Sequence, residues 1–180
     1  AGKTDEIGRE LCENPLVRKL TFTGSTEVGK HLIRQCAGTV KRTSMELGGN
    51  APFIVFEDAD LDAAVSGLMA SKFRNAGQTC VCTNRILVQE QIYDHFASKL
   101  AQAMAELRVG PGLKVDTDIG PLIDETAAES IRALIADASA KGARIVDVGC
   151  FELELSGSYL PPTLLVDVRP DMRVFREATF

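Results

Sequence analysis

The chain has 180 residues, 45% of them hydrophobic and 25% charged, with a formal net charge of −5 at pH 7. This composition is typical of a soluble globular protein and excludes a disordered, collagen-like or coiled-coil chain. The acidic balance and the absence of a basic run argue against nucleic-acid binding, and the longest apolar runs are too short to cross a membrane. Five cysteines, an odd number, indicate reduced thiols and favour the cytoplasm.

Hydrophobic periodicity predicts short strands that alternate with longer helices. We expect a first helix with Thr4 as its N-cap, and a strand at 52–56 that is covered on both faces because its apolar run is continuous. Alternation of this kind is typical of βα units around a parallel sheet. The predicted helices are 5–13, 26–36, 60–73, 91–107 and 125–141, and the predicted strands are 17–23, 41–47, 52–56, 85–89, 144–148 and 163–168.

The Gly48-Gly49 pair is the best candidate for a boundary between two structural units. The stretch before it is too short to build an independent doubly wound sheet. The sequence also begins at Ala1 without an initiator Met and ends at Phe180 inside an apolar and charged segment. We therefore expect the chain to be a piece of a longer protein.

The first segment that could carry chemistry is Thr21–Gly29, where a predicted strand turns into a helix. Gly24 allows a tight turn, and the free N–H groups at a helix start can bind a phosphate. An ordinary helix cap at Ser25 or Thr26 explains the same residues and is the commoner case. The segment lacks the Gly-x-Gly-x-x-Gly dinucleotide fingerprint, so both interpretations stay open.

The second segment is Met45–Gly49, in which a single carboxylate, Glu46, ends an apolar strand and two glycines follow. Functional groups in α/β folds lie at such strand ends. A carboxylate partly buried there would have a raised pKa and could act as a general base. The alternative is an ordinary surface glutamate, which the segment taken alone favours.

The third segment is Phe73–Cys82, in which Cys80 lies in a Gly-Gln-Thr turn after a predicted helix. We expect Cys80 to be exposed enough to react, and Arg74 is a nearby cation that favours the nucleophilic thiolate. The alternatives are a buried structural cysteine or half of a metal site. Cys80 and Cys82 form one Cys-x-Cys pair with no second pair and no nearby histidine, so we predict no metal site and no Cys-His protease dyad.

Together and in this order, the three segments resemble the aldehyde dehydrogenase superfamily. The motifs are Phe22–Gly29, Met45–Gly49 and Gly77–Cys80, and the spacing from Glu46 to Cys80 is also similar to that family. The resemblance extends over the whole chain and includes Gly120–Ile123 and Glu177–Phe180. It implies an α/β fold, with residues 1–46 as the last part of a Rossmann-like cofactor domain and 47–180 as a truncated parallel-sheet catalytic domain.

The branch that the chain resembles most is succinate-semialdehyde dehydrogenase, on the segments Leu16–Leu20, Ala51–Phe56 and Lys72–Cys82. In that branch, an arginine at the position of Arg74 holds the far carboxylate of the substrate. A guanidinium group suits a carboxylate because it can donate two parallel hydrogen bonds. The resemblance therefore implies a small-molecule semialdehyde as substrate.

The resemblance also implies a mechanism and a cofactor. The Cys80 thiolate attacks the aldehyde to give a thiohemiacetal, hydride passes to NAD or NADP, and Glu46 activates the water that hydrolyses the thioester. The implied cofactor contacts are Gly24, Ser25, Gly29, Leu47 and Glu177. The implied assembly of the whole protein is a homodimer or homotetramer, without nucleic-acid or membrane partners.

The chain departs from the family at the ribose contact, because the usual pair of glutamates is Glu177-Ala178 here. Either Glu177 replaces the second glutamate or cofactor binding is weakened. Cys82 is a redox partner of Cys80 or merely packs, and both possibilities stay open. Because the family's first cofactor-binding strands are missing, we expect the isolated chain to be inactive. The alternatives are a non-catalytic fragment or interaction module, and a dehydrogenase for another aldehyde.

Overall fold

The computed structural model describes residues 2–149 and 157–179, so Cys150 and Phe180 lie outside the described residues. The chain divides into two compact units, Ala1–Gly49 and Asn50–Phe180. Each unit is described by itself. No helix in the described ranges is both long and apolar enough to cross a membrane.

The first unit is built around one pair of parallel strands. β1 and β2 are in register from Lys19 opposite Arg42 to Gly24 opposite Leu47. Its small core joins both helices to the sheet through Cys12, Leu20, Leu32 and Cys36. In chain order its elements are α1 (Thr4–Glu13), β1 (Lys19–Gly24), α2 (Thr26–Cys36), a 3-10 turn (Ala37–Thr39) and β2 (Arg42–Leu47).

The second unit contains the other parallel pair and the larger core. β3 and β4 are in register from Pro52 opposite Arg85 to Val55 opposite Val88. Its elements are β3 (Pro52–Val55), α3 (Leu61–Lys72), 3-10 turns (Arg74–Gly77 and Glu90–Ile92), β4 (Arg85–Val88), α4 (Tyr93–Ala105), α5 (Glu125–Ala140), β5 (Arg144–Val146), β6 (Leu164–Val166) and α6 (Arg173–Arg176).

The core of the second unit lies on one face of the β3–β4 pair. Leu68 of α3 and Phe96 of α4 are almost fully buried there beside Val55. The prediction that strand 52–56 is covered on both faces is wrong for this chain. Ile54 and Phe56 point to the other face and are 57% and 63% exposed, because the helices of the core cover only one side of the strand pair.

Two further local predictions fail for identifiable reasons. The first helix begins at Thr4 itself, and its N-cap is Lys3, whose side chain makes no capping hydrogen bond. The β5–β6 pair is antiparallel and not parallel, with Arg144 opposite Val166. No helix lies between these strands in the described part of the chain, so the connection of a parallel βαβ unit is not seen there. The α/β class itself is confirmed.

Candidate functional site

In the first unit, the predicted site residues meet at one edge of the parallel strand pair. Gly24 lies opposite Leu47 and Thr23 lies opposite Glu46, so both strands end at the same edge. Parallel strands place their carboxyl ends together, which is where α/β folds bind ligands. The Glu46 side chain is exposed, so the partly buried carboxylate that we expected is not seen within this unit.

Ser25 caps α2 directly after Gly24. Its hydroxyl oxygen accepts a hydrogen bond from the backbone N–H of Val28 at 3.2 Å. The capping interpretation is therefore confirmed. It leaves the N–H groups of Thr26 and Glu27 without intrahelical partners, since the first turn of any helix lacks them. The helix dipole adds a partial positive charge at the same place.

Gly29 has a packing role in the first turn of α2. Its N–H donates to the Ser25 carbonyl oxygen at 3.0 Å, so this group is already occupied within the helix. A Cβ at this position would lie 2.5 Å from Leu47 Cδ2, a distance that real contacts do not reach. Gly29 therefore lets α2 approach β2 closely at the edge that carries Glu46.

In the second unit, Cys80 lies at the outside of a tight turn. The Cys82 N–H donates to the Thr79 carbonyl oxygen at 3.1 Å, which makes Cys80 and Val81 the two central residues of a β-turn. Cys80 is exposed, as predicted, and Val81 is 67% exposed. The turn presents the thiol to solvent with little side-chain packing around it.

The backbone before this turn is strained, which sequence patterns did not indicate. Asn75, Ala76 and Gly77 take positive φ angles of 51°, 55° and 81° in succession. Asparagine and glycine tolerate this conformation, whereas alanine in the left-handed region costs roughly 1–2 kcal/mol. The path carries the chain from the end of α3 into the turn, between the exposed side chains of Arg74 and Cys80.

Cys82 is buried beneath the turn and contacts both sides of it. Its sulfur lies 2.8 Å from the Thr79 hydroxyl, and its thiol donates to the Arg74 carbonyl oxygen at 3.6 Å. Cys80 and Cys82 are both free thiols. The contacts of Cys82 hold the backbone of Arg74 against the turn that carries Cys80.

Arg74 and Gln78 extend from the same loop. Arg74 is exposed, and no described carboxylate pairs with it. The Gln78 side-chain oxygen accepts from the Ile123 N–H at 2.8 Å and its amide donates to the Asn75 carbonyl oxygen at 3.2 Å. Through these two hydrogen bonds, Gln78 links the loop 74–82 to the segment after Leu122.

The predicted ribose contact falls on the segment 173–179. The Glu177 carboxylate accepts both hydrogen bonds of a bidentate pair with Arg173, at 2.8 and 2.9 Å. This pairing lowers the pKa of Glu177. Ala178 beside it is exposed. Each Glu177 carboxylate oxygen keeps one further acceptor position beside its bond from Arg173.

A cavity of about 880 Å³ lies within the second unit, next to Ala76 and Gly77 of the loop 74–82. Gly77 and Lys72 contribute to its wall, together with the open side of β3 and β4. Cys80, Cys82 and Arg74 do not line it. Its lining is mainly apolar and includes exposed strand residues such as Ile54 as well as buried core residues such as Leu68.

Sequence reasoning missed two polar residues at the base of the loop, Lys72 and Asn84. The Lys72 ammonium donates to Asn84 Oδ1 at 3.0 Å, and Thr179 Oγ1 donates to the same oxygen at 2.9 Å. A lysine in the last turn of a helix is usually solvated and interacts with the helix dipole. Nothing in the periodicity distinguishes Lys72 from that ordinary case.

The family model described as the aldehyde dehydrogenase family matches residues 1–180. The chain is 57% identical over 179 residues to the succinate-semialdehyde dehydrogenase [NADP(+)] GabD of Escherichia coli (strain K12), covering 99% of this chain and 37% of that protein. It is also 57% identical over 179 residues to the 3-sulfolactaldehyde dehydrogenase of Pseudomonas putida, with the same two coverages.

A solved structure of succinate-semialdehyde dehydrogenase from Burkholderia pseudomallei matches with a TM-score of 0.95 and 54% identity. The match covers 99% of this chain and 37% of that one. The chain thus spans about 37% of the length of these relatives.

Proposed function

Because this chain belongs to the aldehyde dehydrogenase family, we propose that it supplies the nucleophile and a substrate-binding arginine for the NAD(P)-dependent oxidation of a semialdehyde. The observation that carries the proposal is the loop 74–82, which carries both the exposed Cys80 thiol and the exposed Arg74 guanidinium, to which no carboxylate of residues 2–149 and 157–179 is paired. The rest of the proposal follows from the chemistry that these two groups allow.

The Cys80 thiolate adds to the aldehyde carbon and forms a C–S bond, and the carbonyl oxygen becomes an oxyanion of a thiohemiacetal. Covalent addition helps because a tetrahedral adduct releases hydride readily, whereas a planar aldehyde does not. In this proposal the backbone N–H of Cys80 donates a hydrogen bond to that oxyanion, as the family resemblance implies. Loss of hydride from the adduct leaves a thioester on Cys80.

Glu46 completes the cycle as a general base. Its carboxylate takes a proton from water, the resulting hydroxide adds to the thioester carbon, and the Cys80 thiolate leaves. The exposed carboxylate at the end of β2 supports this role, since a base that activates water must be reached by water.

The first unit fits a nicotinamide cofactor at the edge formed by Gly24 and Leu47. The start of α2 after Ser25 offers N–H groups and a positive dipole end to a diphosphate. When bound, the cofactor supplies the hydride acceptor. The Gly29 N–H is occupied within the helix, so it does not bind the diphosphate in this proposal. Gly29 shapes the site by allowing α2 to pack closely against Leu47. Because Ala178 has no side-chain acceptor, we expect the ribose to be bound less tightly than in relatives with two glutamates.

We assign the substrate class from Arg74 and from the substrates of the similar dehydrogenases. Succinate semialdehyde carries a carboxylate and 3-sulfolactaldehyde carries a sulfonate, and the chain is 57% identical to a dehydrogenase for each. A guanidinium group binds either anion through parallel hydrogen bonds. The proposed substrate is an aldehyde with an anionic group at its far end, with succinate semialdehyde as the first candidate.

The activity is proposed for a protein of the relatives' length, of which this chain would be one part. The competing hypothesis is a non-catalytic fragment or interaction module. Titrating NAD⁺ and NADP⁺ onto the isolated 180-residue chain tests this competing hypothesis: binding with ordinary affinity would contradict the view that the chain is a fragment without a cofactor site.

The experiment that tests the proposal is an activity assay of the Cys80→Ala variant of the full-length protein. Removal of the nucleophile should abolish dehydrogenase activity with succinate semialdehyde and either cofactor. Val81→Ala, in the same turn, measures what a disturbance of the turn alone costs. Activity of Cys80→Ala near that of Val81→Ala would refute the assignment of Cys80.

A further inference from the structure

Lys72 is a cation at the end of α3 without a carboxylate partner among residues 2–149 and 157–179. Its side chain is partly buried, and burial lowers its pKa, while attraction to the Cys82 sulfur opposes that shift. A lysine with no ion pair in such surroundings has lost hydration that a surface lysine keeps. The lost hydration requires compensation by hydrogen bonds within the protein.

The hydrogen bonds of Lys72 lead to a different segment of the chain. Asn84 Oδ1 accepts from the Lys72 ammonium at 3.0 Å and from the Thr179 hydroxyl at 2.9 Å. The Asn84 backbone N–H donates to the Ala51 carbonyl oxygen at 3.0 Å, which anchors this residue beside β3. One oxygen atom on a fixed residue thus joins the end of α3 to the segment 173–179.

Lys72 also lies directly under the loop that leads to Cys80. A Cβ built on Gly77 would be 3.3 Å from the Lys72 carbonyl oxygen and 3.5 Å from its Nζ and Cε atoms. The Gly77 backbone therefore rests on both the main chain and the side chain of Lys72. Only Gln78 and Thr79 lie between Gly77 and Cys80, so Lys72 packs close to the backbone that leads into the Cys80 turn.

The segment 173–179 is held at a second point that does not involve Lys72. Asn50 Nδ2 donates to the Phe175 carbonyl oxygen at 2.8 Å, and the Arg85 guanidinium lies 5.2 Å from the centre of the Phe175 ring. The segment can therefore stay in place when the link through Thr179 is cut. This allows the link to be tested without unfolding the segment.

We propose that Lys72 is a positioning residue that couples the Cys80 turn to the segment 173–179 through the shared oxygen of Asn84. The inference rests on the proposed function, in which Cys80 is the nucleophile and Glu177-Ala178 lies at the cofactor ribose. Binding of the cofactor then changes the position of Cys80 through Thr179, Asn84 and Lys72. Lys72 does not touch the reacting atoms in this proposal.

The test compares four variants of the full-length protein. Lys72→Met removes the ammonium, Asn84→Leu removes the shared acceptor, and Thr179→Val removes the second donor. Asn84→Asp keeps an acceptor oxygen for both donors and is the conservative control. Each variant is measured for melting temperature, for kcat and KM, and for the iodoacetamide alkylation rate of Cys80 with and without saturating NADP⁺.

We expect Lys72→Met and Asn84→Leu to lower kcat by roughly tenfold to a hundredfold with little change in the aldehyde KM, because a misplaced nucleophile slows chemistry more than binding. The effect of NADP⁺ on the alkylation rate should be lost in Lys72→Met, Asn84→Leu and Thr179→Val and retained in Asn84→Asp.

A lowered melting temperature with wild-type kcat and a wild-type response to NADP⁺ would show a purely structural role and overturn the proposal. Equal losses in Asn84→Asp and Asn84→Leu would also overturn it. If the wild-type protein oxidises no aldehyde, the proposed function fails. The alkylation rates of Lys72→Met and wild type still test the link between Lys72 and the Cys80 turn, because alkylation needs no turnover.

Discussion

The sulfur of Cys82 lies 2.8 Å from the hydroxyl of Thr79, on the buried side of the turn whose exposed side carries Cys80. This relationship separates the two cysteines of a Cys-x-Cys pair by environment, although they are neighbours in sequence. Exposure and thiolate character decide which cysteine reacts first. Because Cys80 is exposed and Cys82 is buried, we expect Cys80 to react first.

The first prediction concerns oxidation of this pair. Peroxide should convert the Cys80 thiol to a sulfenic acid, which then condenses with the Cys82 thiol to a disulfide and releases water. Such a short loop is strained and should be reduced easily by dithiothreitol. Peptide mapping of the treated protein tests this, with Cys82→Ser as the control that cannot form the disulfide. If the peptide that contains both cysteines shows no disulfide in the wild type, Cys82 is a packing residue only.

The second prediction concerns Arg74 and substrate charge. Arg74→Ala should raise KM for succinate semialdehyde far more than for an uncharged aldehyde of similar size. Loss of one partner of a desolvated charge pair costs ~2–5 kcal/mol, which should appear in the ratio of the two kcat/KM values. Arg74→Lys is the matched control, since it keeps the charge and loses the bidentate geometry. Equal effects on both aldehydes would remove Arg74 from the substrate site.

The third prediction compares two glycines of the second unit. Gly77→Ala should destabilise the protein by ~1–2 kcal/mol, because Gly77 has a φ of 81° and its Cβ would press on Lys72. Gly67→Ala, in the middle of α3 with open space around it, should stabilise by ~0.5–1 kcal/mol through helix propensity. Denaturant unfolding measures both. The same sign for the two substitutions would contradict this account of the Gly77 turn.

The fourth prediction concerns pH and the first unit. Burial, followed by the neighbouring Cys36 thiol, raises the pKa of Cys12 from 9.0 to about 11. The unfolded thiol ionises near pH 9 while the folded one stays protonated, so the contribution of Cys12 to stability is present below pH 9 and falls between pH 9 and 11. The melting temperatures of wild type and Cys12→Ala should therefore converge over this range. A constant difference would show that the thiol keeps its ordinary pKa in the folded chain.

Local patterns predicted the features that depend on local chemistry. The exposed Cys80 followed from its Gly-Gln-Thr turn, and the helices predicted at 60–73 and 91–107 correspond to α3 (Leu61–Lys72) and α4 (Tyr93–Ala105). Each of these depends on neighbours within a few residues, which is the range that periodicity and turn chemistry describe.

The features that sequence reasoning missed depend on contacts between distant segments. Asn84 meets Thr179 across 95 positions, and no spacing rule connects them. The left-handed conformation of Ala76 is imposed by the loop around it, since alanine alone disfavours it. The open face of β3 at Ile54 and Phe56 reflects which side the core helices cover, and hydrophobicity alone does not state this.

The central claim is that Cys80 carries the acyl intermediate, and mass spectrometry of a Glu46→Gln variant of the full-length protein tests it most directly. Without the carboxylate that activates water, the thioester should persist after mixing with succinate semialdehyde and NADP⁺. The account predicts a peptide containing Cys80 with the added mass of one succinyl group, absent from Cys80→Ala/Glu46→Gln. Two results would contradict it: a Cys80 peptide that stays unmodified after one equivalent of NADPH has formed, or a succinyl group on another residue.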